Sequence, residues 1–464
     1  MGIKGFINKI TTKFKCIKKP SSVHTLCIDM NTILHGICHK SNDKFIFKKF
    51  LTKDLKKIIR MVKPTNYIAI FTDGQAVLAK AITQKKRRIK YLYGVPNGLT
   101  TLHLTTGTPF MDFVDKIIQE FLDNISKTLN IKTYYSPSTE KNEGELKLFE
   151  WLNRLNNTKR CPSNNNSKNI VVYGQDSDLV VLAIKSTQSN LYIINNYRYI
   201  SINKLIRCIA FPLNSYFEFK DHPIKNDFTF LCMLLGNDYL PKICGFDNLW
   251  KAYIKLQNLP KYHYFLIKKN NTINFNNLKK LFNLMPNVPI KYKNTIQNSK
   301  NSNNYLQSLL WNYELYSGKV YPNYIPSNNI HIDLKTLIKH MPSNLQISQN
   351  DNNWNTTWID SDVYLLMLMP LTGKSILPTQ LQPYMENNSS IKDLYPEPCS
   401  QCIELKLKLK NLIMPNDNHT ENQKNKLKHY ASNTHNEYKN HLYDNHPYEE
   451  LPIEKIKNAL IMNR

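Results

Sequence analysis

Three short apolar runs, rich in β-branched residues, each end on an acid, and this pattern constrains the fold more than any other feature of the chain. They are HTLCIDMN, ending at Asp29, YIAIFTDG, ending at Asp73, and NIVVYGQDSD, which carries Asp176 and Asp178. Apolar runs of this length, uninterrupted by polar residues, read as strands covered on both faces. Helical patterns lie between them: Phe113, Ile117, Ile118 and Phe121 share one helical face, and Leu148, Trp151, Leu152 and Leu155 share another. Strands alternating with helices predict an α/β fold, with a mainly parallel twisted sheet and helices on both faces. In such sheets functional groups gather at the carboxyl ends of the strands, where these aspartates fall.

Two further stretches add acids. NEGELK places Glu143 and Glu145 on either side of Gly144, just before a helical pattern, and FTFLCMLLGNDYLPKI reads as a buried helix, Phe228 to Leu235, broken at Gly236 and followed by Asp238. A single D-x-D at a strand end is ordinarily an Asx-turn or a helix cap. Repetition of acids at several strand ends in one region favours a shared site. Packed carboxylates repel one another unless cations intervene, and an all-oxygen set suits Mg²⁺ or Mn²⁺ better than zinc. Two such ions roughly 4 Å apart serve phosphodiester hydrolysis.

A formal charge of +27, from 62 Lys+Arg against 35 Asp+Glu, makes a polyanion the first partner to consider. The chain is crowded with Asn, Lys and Ile, so bulk charge is weak evidence. Arginine is more telling: of eight, two are adjacent, Arg87 and Arg88. In KAITQKKRRIK, Lys80, Gln84, Arg87 and Arg88 fall on one helical face, a donor set matched to the oxygens of a terminal phosphate. The plainer alternatives are a solvated basic face or a nuclear-localisation tetrad, KKRR. The helix pattern begins directly after the strand ending at Asp73, which favours a functional role.

Nine scattered cysteines point to reduced thiols in an intracellular protein, with the cytoplasm favoured over the nucleus. The C-x-x-C from Cys399 to Cys402 lacks a second pair at zinc-site spacing and reads as incidental rather than as a metal half-site. The N-terminus is too basic for a signal peptide, no window approaches the apolar length of a membrane span, and Phe6 stands where a myristoylation motif wants Ser or Thr. Composition divides the chain into a core over 1–284, a linker or mobile loop over 285–304, a second ordered region over 305–415 and a polar tail over 416–464. Within that tail Ile453 to Ile461 forms a candidate helix.

Taken together, MGIKGF, CIDMNTILH, FTDGQAVLAKAITQKKRR, NEGELK, YGQDSDLVVL and FLCMLLGNDYLP resemble, in order, the motifs of the XRN family of 5′→3′ exoribonucleases, relatives of the flap endonucleases. YLQSLLWNYELYSGKVYP, LLMLMPLTGKSILP and IKDLYP are similar to that family's second conserved region. The resemblance implies a PIN/flap-endonuclease-like core with a largely helical second region packed against it. It also implies that Asp29, Asp73, Glu143, Glu145, Asp176, Asp178 and Asp238 hold two Mg²⁺ ions, and that Lys80, Gln84, Arg87 and Arg88 form a 5′-monophosphate pocket. His35 would stack on the first base, with Tyr321 as the candidate opposite it; Trp311 sits too early and reads as core.

Three departures mark this chain. Asn142 stands where the acidic block normally opens with glycine, the family's aromatic cluster is thinned to GKVYPNYIP, and the segment joining the two conserved regions is short. The expectation is a compact member, acting as a monomer without a membrane, that degrades 5′-monophosphorylated single-stranded RNA processively to nucleoside 5′-monophosphates. The alternative is a structure-specific flap DNA nuclease of repair or recombination, which shares the carboxylates.

Overall fold

Five of six strands run parallel, in the order β3-β2-β1-β4-β5-β6. The computed structural model describes residues 3, 5–88, 91, 98–157, 168–213, 223–260, 264–268, 272–285, 299–326, 334–342, 355–396, 399–413, 430–438, 440–441 and 451–462. The strands are β1 (Val23–Asp29), β2 (Pro64–Phe71), β3 (Lys132–Ser136), β4 (Ile170–Tyr173), β5 (Leu191–Asn195) and β6 (Arg198–Ser201). Only β6 is antiparallel, pairing with β5 at one edge. Helices α1 (Phe6–Phe14), α2 (Asn31–Cys38), α3 (Lys44–Val62), α4 (Leu78–Arg88), α5 (Pro109–Leu129), α6 (Gly144–Asn157), α7 (Asp178–Lys185), α8 (Ile202–Ala210) and α9 (Pro223–Met233) alternate with or follow the strands. Further on come α10 (Phe246–Gln257), α11 (Phe275–Asn283), α12 (Ser299–Tyr316), α13 (Leu334–Lys339), α14 (Ser361–Leu368) and α15 (Ser400–Ile413). This is the α/β architecture expected from the acid-terminated runs.

Successive side chains of a strand point to opposite faces, so full burial of the consecutive residues Leu26, Cys27 and Ile28 means that both faces of the sheet are covered. One face, through Cys27, Ala69, Phe71, Val172 and Ile193, joins the main core. The other carries Ile68, Ile70, Val171 and Ile194, equally buried. Each such side chain contributes about 1.5–3 kcal/mol on leaving water. Register aligns the strand ends: Asp29 pairs with Phe71, Phe71 with Ser136, and Ile28 with Tyr173. Strand order reverses between β1 and β4, and a reversal of this kind opens a crevice at the strands' carboxyl ends.

Two compact units divide the chain. The first comprises Met1–Gly36, Lys49–Ala79 and Lys116–Trp358; the second Ile37–Lys48, Lys80–Asp115 and Ile359–Arg464. Both units are discontinuous in the chain. Residues 286–298 of the expected loop over 285–304 lie outside the described residues, and α12 begins within it at Ser299. In the first unit, α6 packs on β1 and β2, α7 and α8 on β5, and α12 on α7 and α9. The second is built around α14, whose Val363 to Leu368 are all buried and whose start is capped by Asp360. The Tyr364 hydroxyl donates to Gln84 Oε1 at 3.3 Å, Leu365 lies against Gly107, and the Tyr395 hydroxyl donates to the Leu366 carbonyl. The C-terminal helix, Ile453–Met462, packs on α14 through buried Ile456, Ala459 and Leu460, so the end of the expected polar tail supplies core. No helix among the described residues is long and apolar enough to cross a membrane.

Candidate active site

The acids of the first unit sit where the sheet ends and helices begin. Asp29 closes β1 and is 2% exposed; the Asn31 amide, opening α2, donates to its Oδ1 at 3.4 Å. Asp73 lies two residues past β2, and its Oδ1 accepts from the Gly144 amide at 2.7 Å. Glu145 occupies the first turn of α6 and Asp178 opens α7. The positive ends of these helices favour carboxylates by a few tenths to 1 kcal/mol each, which partly offsets their mutual repulsion.

Gly144 shows how tightly the parts meet. A Cβ on it would come within 3.1 Å of Asp29 Oδ1, Asp73 Oδ1 and the Phe71 carbonyl, so any side chain there would push these neighbours aside by a few tenths of an ångström. At Gly74 an added Cβ would collide with the Glu140 carbonyl at 1.6 Å. The loop that carries Glu143 is pinned by Gly74 N–H to Asn142 O and Asn142 N–H to Gln75 O, both 2.8 Å. Asn142 holds φ +90°, a left-handed backbone that glycine takes freely and Asn tolerates better than most residues. Its Oδ1 accepts from the Glu143 amide at 3.0 Å. The departure from glycine is thus accommodated with the loop in place.

Electrostatics link the acids. Burial, then the charges of Asp73, Asp176 and Glu143, push the Asp29 carboxyl well above the usual range, with the Asn31 amide pulling the other way. Glu143, 6% exposed, accepts a hydrogen bond from the Tyr239 hydroxyl at 3.1 Å. Buried Tyr316 feels Asp178, Glu145 and Glu143, and its hydroxyl is held well above its ordinary range, first by burial and then by those charges. Glu143 therefore joins two sets, Asp29–Asp73–Asp176 and Glu145–Asp178. Asp238 is half-buried in a turn built by Gly236, at φ +80°, and by Asn237, whose Oδ1 accepts from the amides of Tyr239 and Leu240. It is tied to the cluster through the next residue, Tyr239. Tyr239 and Tyr316 lie within the quoted stretches GNDYLP and WNYELY but were not singled out in the sequence; their link to Glu143, Glu145 and Asp178 is made by the fold.

The donor set fits hard divalent ions. Among the described residues no three of these carboxylates bring an oxygen each within 4.8 Å of one another; by ligand type, an all-oxygen set suits Mg²⁺ or Mn²⁺ rather than zinc.

His35 is half-buried on α2, and Tyr321 is half-buried beyond α12, its carbonyl accepting from Trp311 Nε1 at 3.3 Å. Trp311 itself is fully buried, stacked on Tyr324 and edge-on to Tyr239. The segment after Tyr321 is fastened to the start of α4, where the Leu78 amide donates to the Pro322 carbonyl at 2.7 Å.

In the second unit, α4 carries half-buried Lys80, Gln84, Arg87 and Arg88. Arg88 is partly spent on its own unit: it donates to Gln84 Oε1 at 3.2 Å and to Thr105 Oγ1 at 2.9 Å. Burial lowers its guanidinium to about 10, so it stays charged at neutral pH.

Residues 1–94 and 96–197 match the family model described as the XRN 5′-3′ exonuclease N-terminus. The chain is 25% identical over 270 residues to 5′-3′ exoribonuclease 1 of Schizosaccharomyces pombe, covering 47% of this chain and 20% of that protein. It is 23% identical over 300 residues to 5′-3′ exoribonuclease 1 of Saccharomyces cerevisiae, covering 52% and 19%. The matched region thus spans about a fifth of these relatives' length. Among solved structures, the catalytic core of Rad2 in complex with DNA substrate aligns with a TM-score of 0.34 and 13% identity, over 61% of this chain and 72% of that one. Over residues 1–94 and 96–197, the chain is thus similar to the N-terminal region of the XRN 5′-3′ exonucleases.

Proposed function

We propose that the chain is a metal-dependent 5′→3′ exoribonuclease that degrades 5′-monophosphorylated single-stranded RNA processively and acts as a monomer. The observation that carries this reading is the gathering of carboxylates from the ends of β1, β2 and β4 with the acidic loop before α6, at the sheet's reversal of strand order. The relatives' own names supply the substrate class.

In this reading Asp29, Asp73, Glu143, Glu145, Asp176, Asp178 and Asp238 hold two Mg²⁺ or Mn²⁺ ions. When bound, such ions activate water and stabilise the leaving oxygen of a phosphodiester. The protein's part is to fix the carboxylates: Gly144 donates to Asp73, Tyr239 to Glu143, and Asn142 holds the loop. Lys80, Gln84, Arg87 and Arg88 grip the 5′-monophosphate by charge-assisted hydrogen bonds, and His35 with Tyr321 stack on the first base. Each cleavage leaves a new 5′-phosphate on the shortened strand, so the product is again a substrate.

The test compares labelled 5′-monophosphorylated single-stranded RNA with a flap DNA, in Mg²⁺ and in EDTA. Mononucleotide release from RNA that stops in EDTA is the expected result. Preferential cutting of the DNA flap overturns the reading.

A further inference from the structure

A second donor cluster, of different chemistry, lies in the second unit. Cys399 directly precedes α15, Cys402 is wholly buried in its first turn, and His441 is itself helical, beyond a helical stretch over 430–438. Cys399 Sγ stands 3.5 Å from His441 Nε2. Among the described residues, Cys399, Cys402 and His441 are the group whose ligand atoms all lie within 4.8 Å of one another.

The distance is informative. With Zn–S about 2.3 Å and Zn–N about 2.05 Å, the S···N edge of a zinc tetrahedron is about 3.5 Å. A thiol hydrogen-bonded to an imidazole reaches a similar distance but needs only one sulfur; here a second sulfur converges on the same point. Two thiolates and an imidazole select a soft or borderline ion, unlike the all-oxygen set of the first unit. In the sequence His446 follows His441 at the H-x₄-H spacing that accompanies C-x₂-C in zinc sites; it lies outside the described residues and is not part of the ligand set.

We propose that Cys399, Cys402 and His441 bind one zinc ion, which clips the 430–441 stretch to the start of α15. The site is separate from the nuclease carboxylates and does not depend on the proposed function. Full-length protein, purified in Mg²⁺ without chelator, should contain one zinc per chain by elemental mass spectrometry. Replacement by cobalt should give thiolate-to-cobalt charge transfer and the visible bands of tetrahedral Co²⁺. Cys399→Ser and His441→Asn, both at half-exposed positions and therefore compatible with folding, should lower zinc content at least tenfold and abolish the cobalt spectrum, while circular dichroism shows a folded chain. Absence of zinc together with absence of a cobalt–thiolate band in the wild type, or full zinc retention in both variants, overturns the assignment and leaves a thiol–imidazole hydrogen bond.

Discussion

Asn142 shows how a single residue can hold a loop in a left-handed backbone that glycine takes more freely. Its φ of +90° costs an L-residue about 1 kcal/mol, and its side chain returns part of that through the Glu143 amide. Asn142→Gly should therefore leave stability within about 0.5 kcal/mol and activity intact, whereas Asn142→Ala, with the strain and without the hydrogen bond, should lose about 1–2 kcal/mol in urea denaturation. An Ala variant as stable as the wild type would mean that the left-handed backbone is not held. Asp176→Ala and Asp178→Ala should each abolish hydrolysis while leaving RNA binding measurable, because the ions and not the bulk charge carry the chemistry. Near-normal turnover of either variant in Mg²⁺ would remove it from the ligand set. Glu145→Gln, nearly isosteric, should behave likewise.

At the scale of elements, the strands and their acids were legible because an uninterrupted apolar run ending in Asp has few other readings. The buried helix from Phe228 was legible in type but not in extent: α9 starts at Pro223, favoured in a helix's first turn, and ends at Met233. Its polar residues hid the start. Asp227 is fully buried, accepting from the Tyr253 hydroxyl at 2.7 Å and from the amides of Leu266 and Ile267, partners with no local signature in the sequence. Burial raises its carboxyl to about 7, with those donors pulling the other way. A raised folded-state value means that the native state binds the proton more tightly, so this group's contribution is fully present below the unfolded value of 3.8 and is lost progressively as pH rises from there through about 7. Unfolding in EDTA from pH 4.5 to 7.5 should show a decline that is shallower in Asp227→Asn; parallel profiles would assign it elsewhere. The face of α4 was legible from its spacing, but not the engagement of Arg88 by Thr105 and Gln84. Arg88→Ala should cost about 1–3 kcal/mol of stability. A thermal transition unchanged from the wild type would contradict the structural part given to Arg88.

For the whole molecule, the compact units are each assembled from separate stretches of the chain. Residues 37–48 and 80–115 join the segment from 359 through contacts such as Tyr364 with Gln84 and Leu365 with Gly107. Contacts across such sequence separations leave no trace in local composition. The C-x-x-C was read as incidental for the same reason, since His441 reaches it only in the fold. The proposed exoribonuclease recognises the end of its substrate. The most direct test measures initial rates on 5′-monophosphate and 5′-hydroxyl RNA of one sequence, with wild type and Arg87→Ala, at two salt concentrations. A charge-assisted hydrogen bond contributes about 1.5–3 kcal/mol, so the wild type should prefer the phosphorylated end by at least about tenfold. Arg87→Ala should collapse that preference by slowing the phosphorylated substrate alone. Equal losses on both RNAs, with a flatter salt dependence, would reduce the arginine pair to an ordinary basic face and contradict recognition of a terminal phosphate.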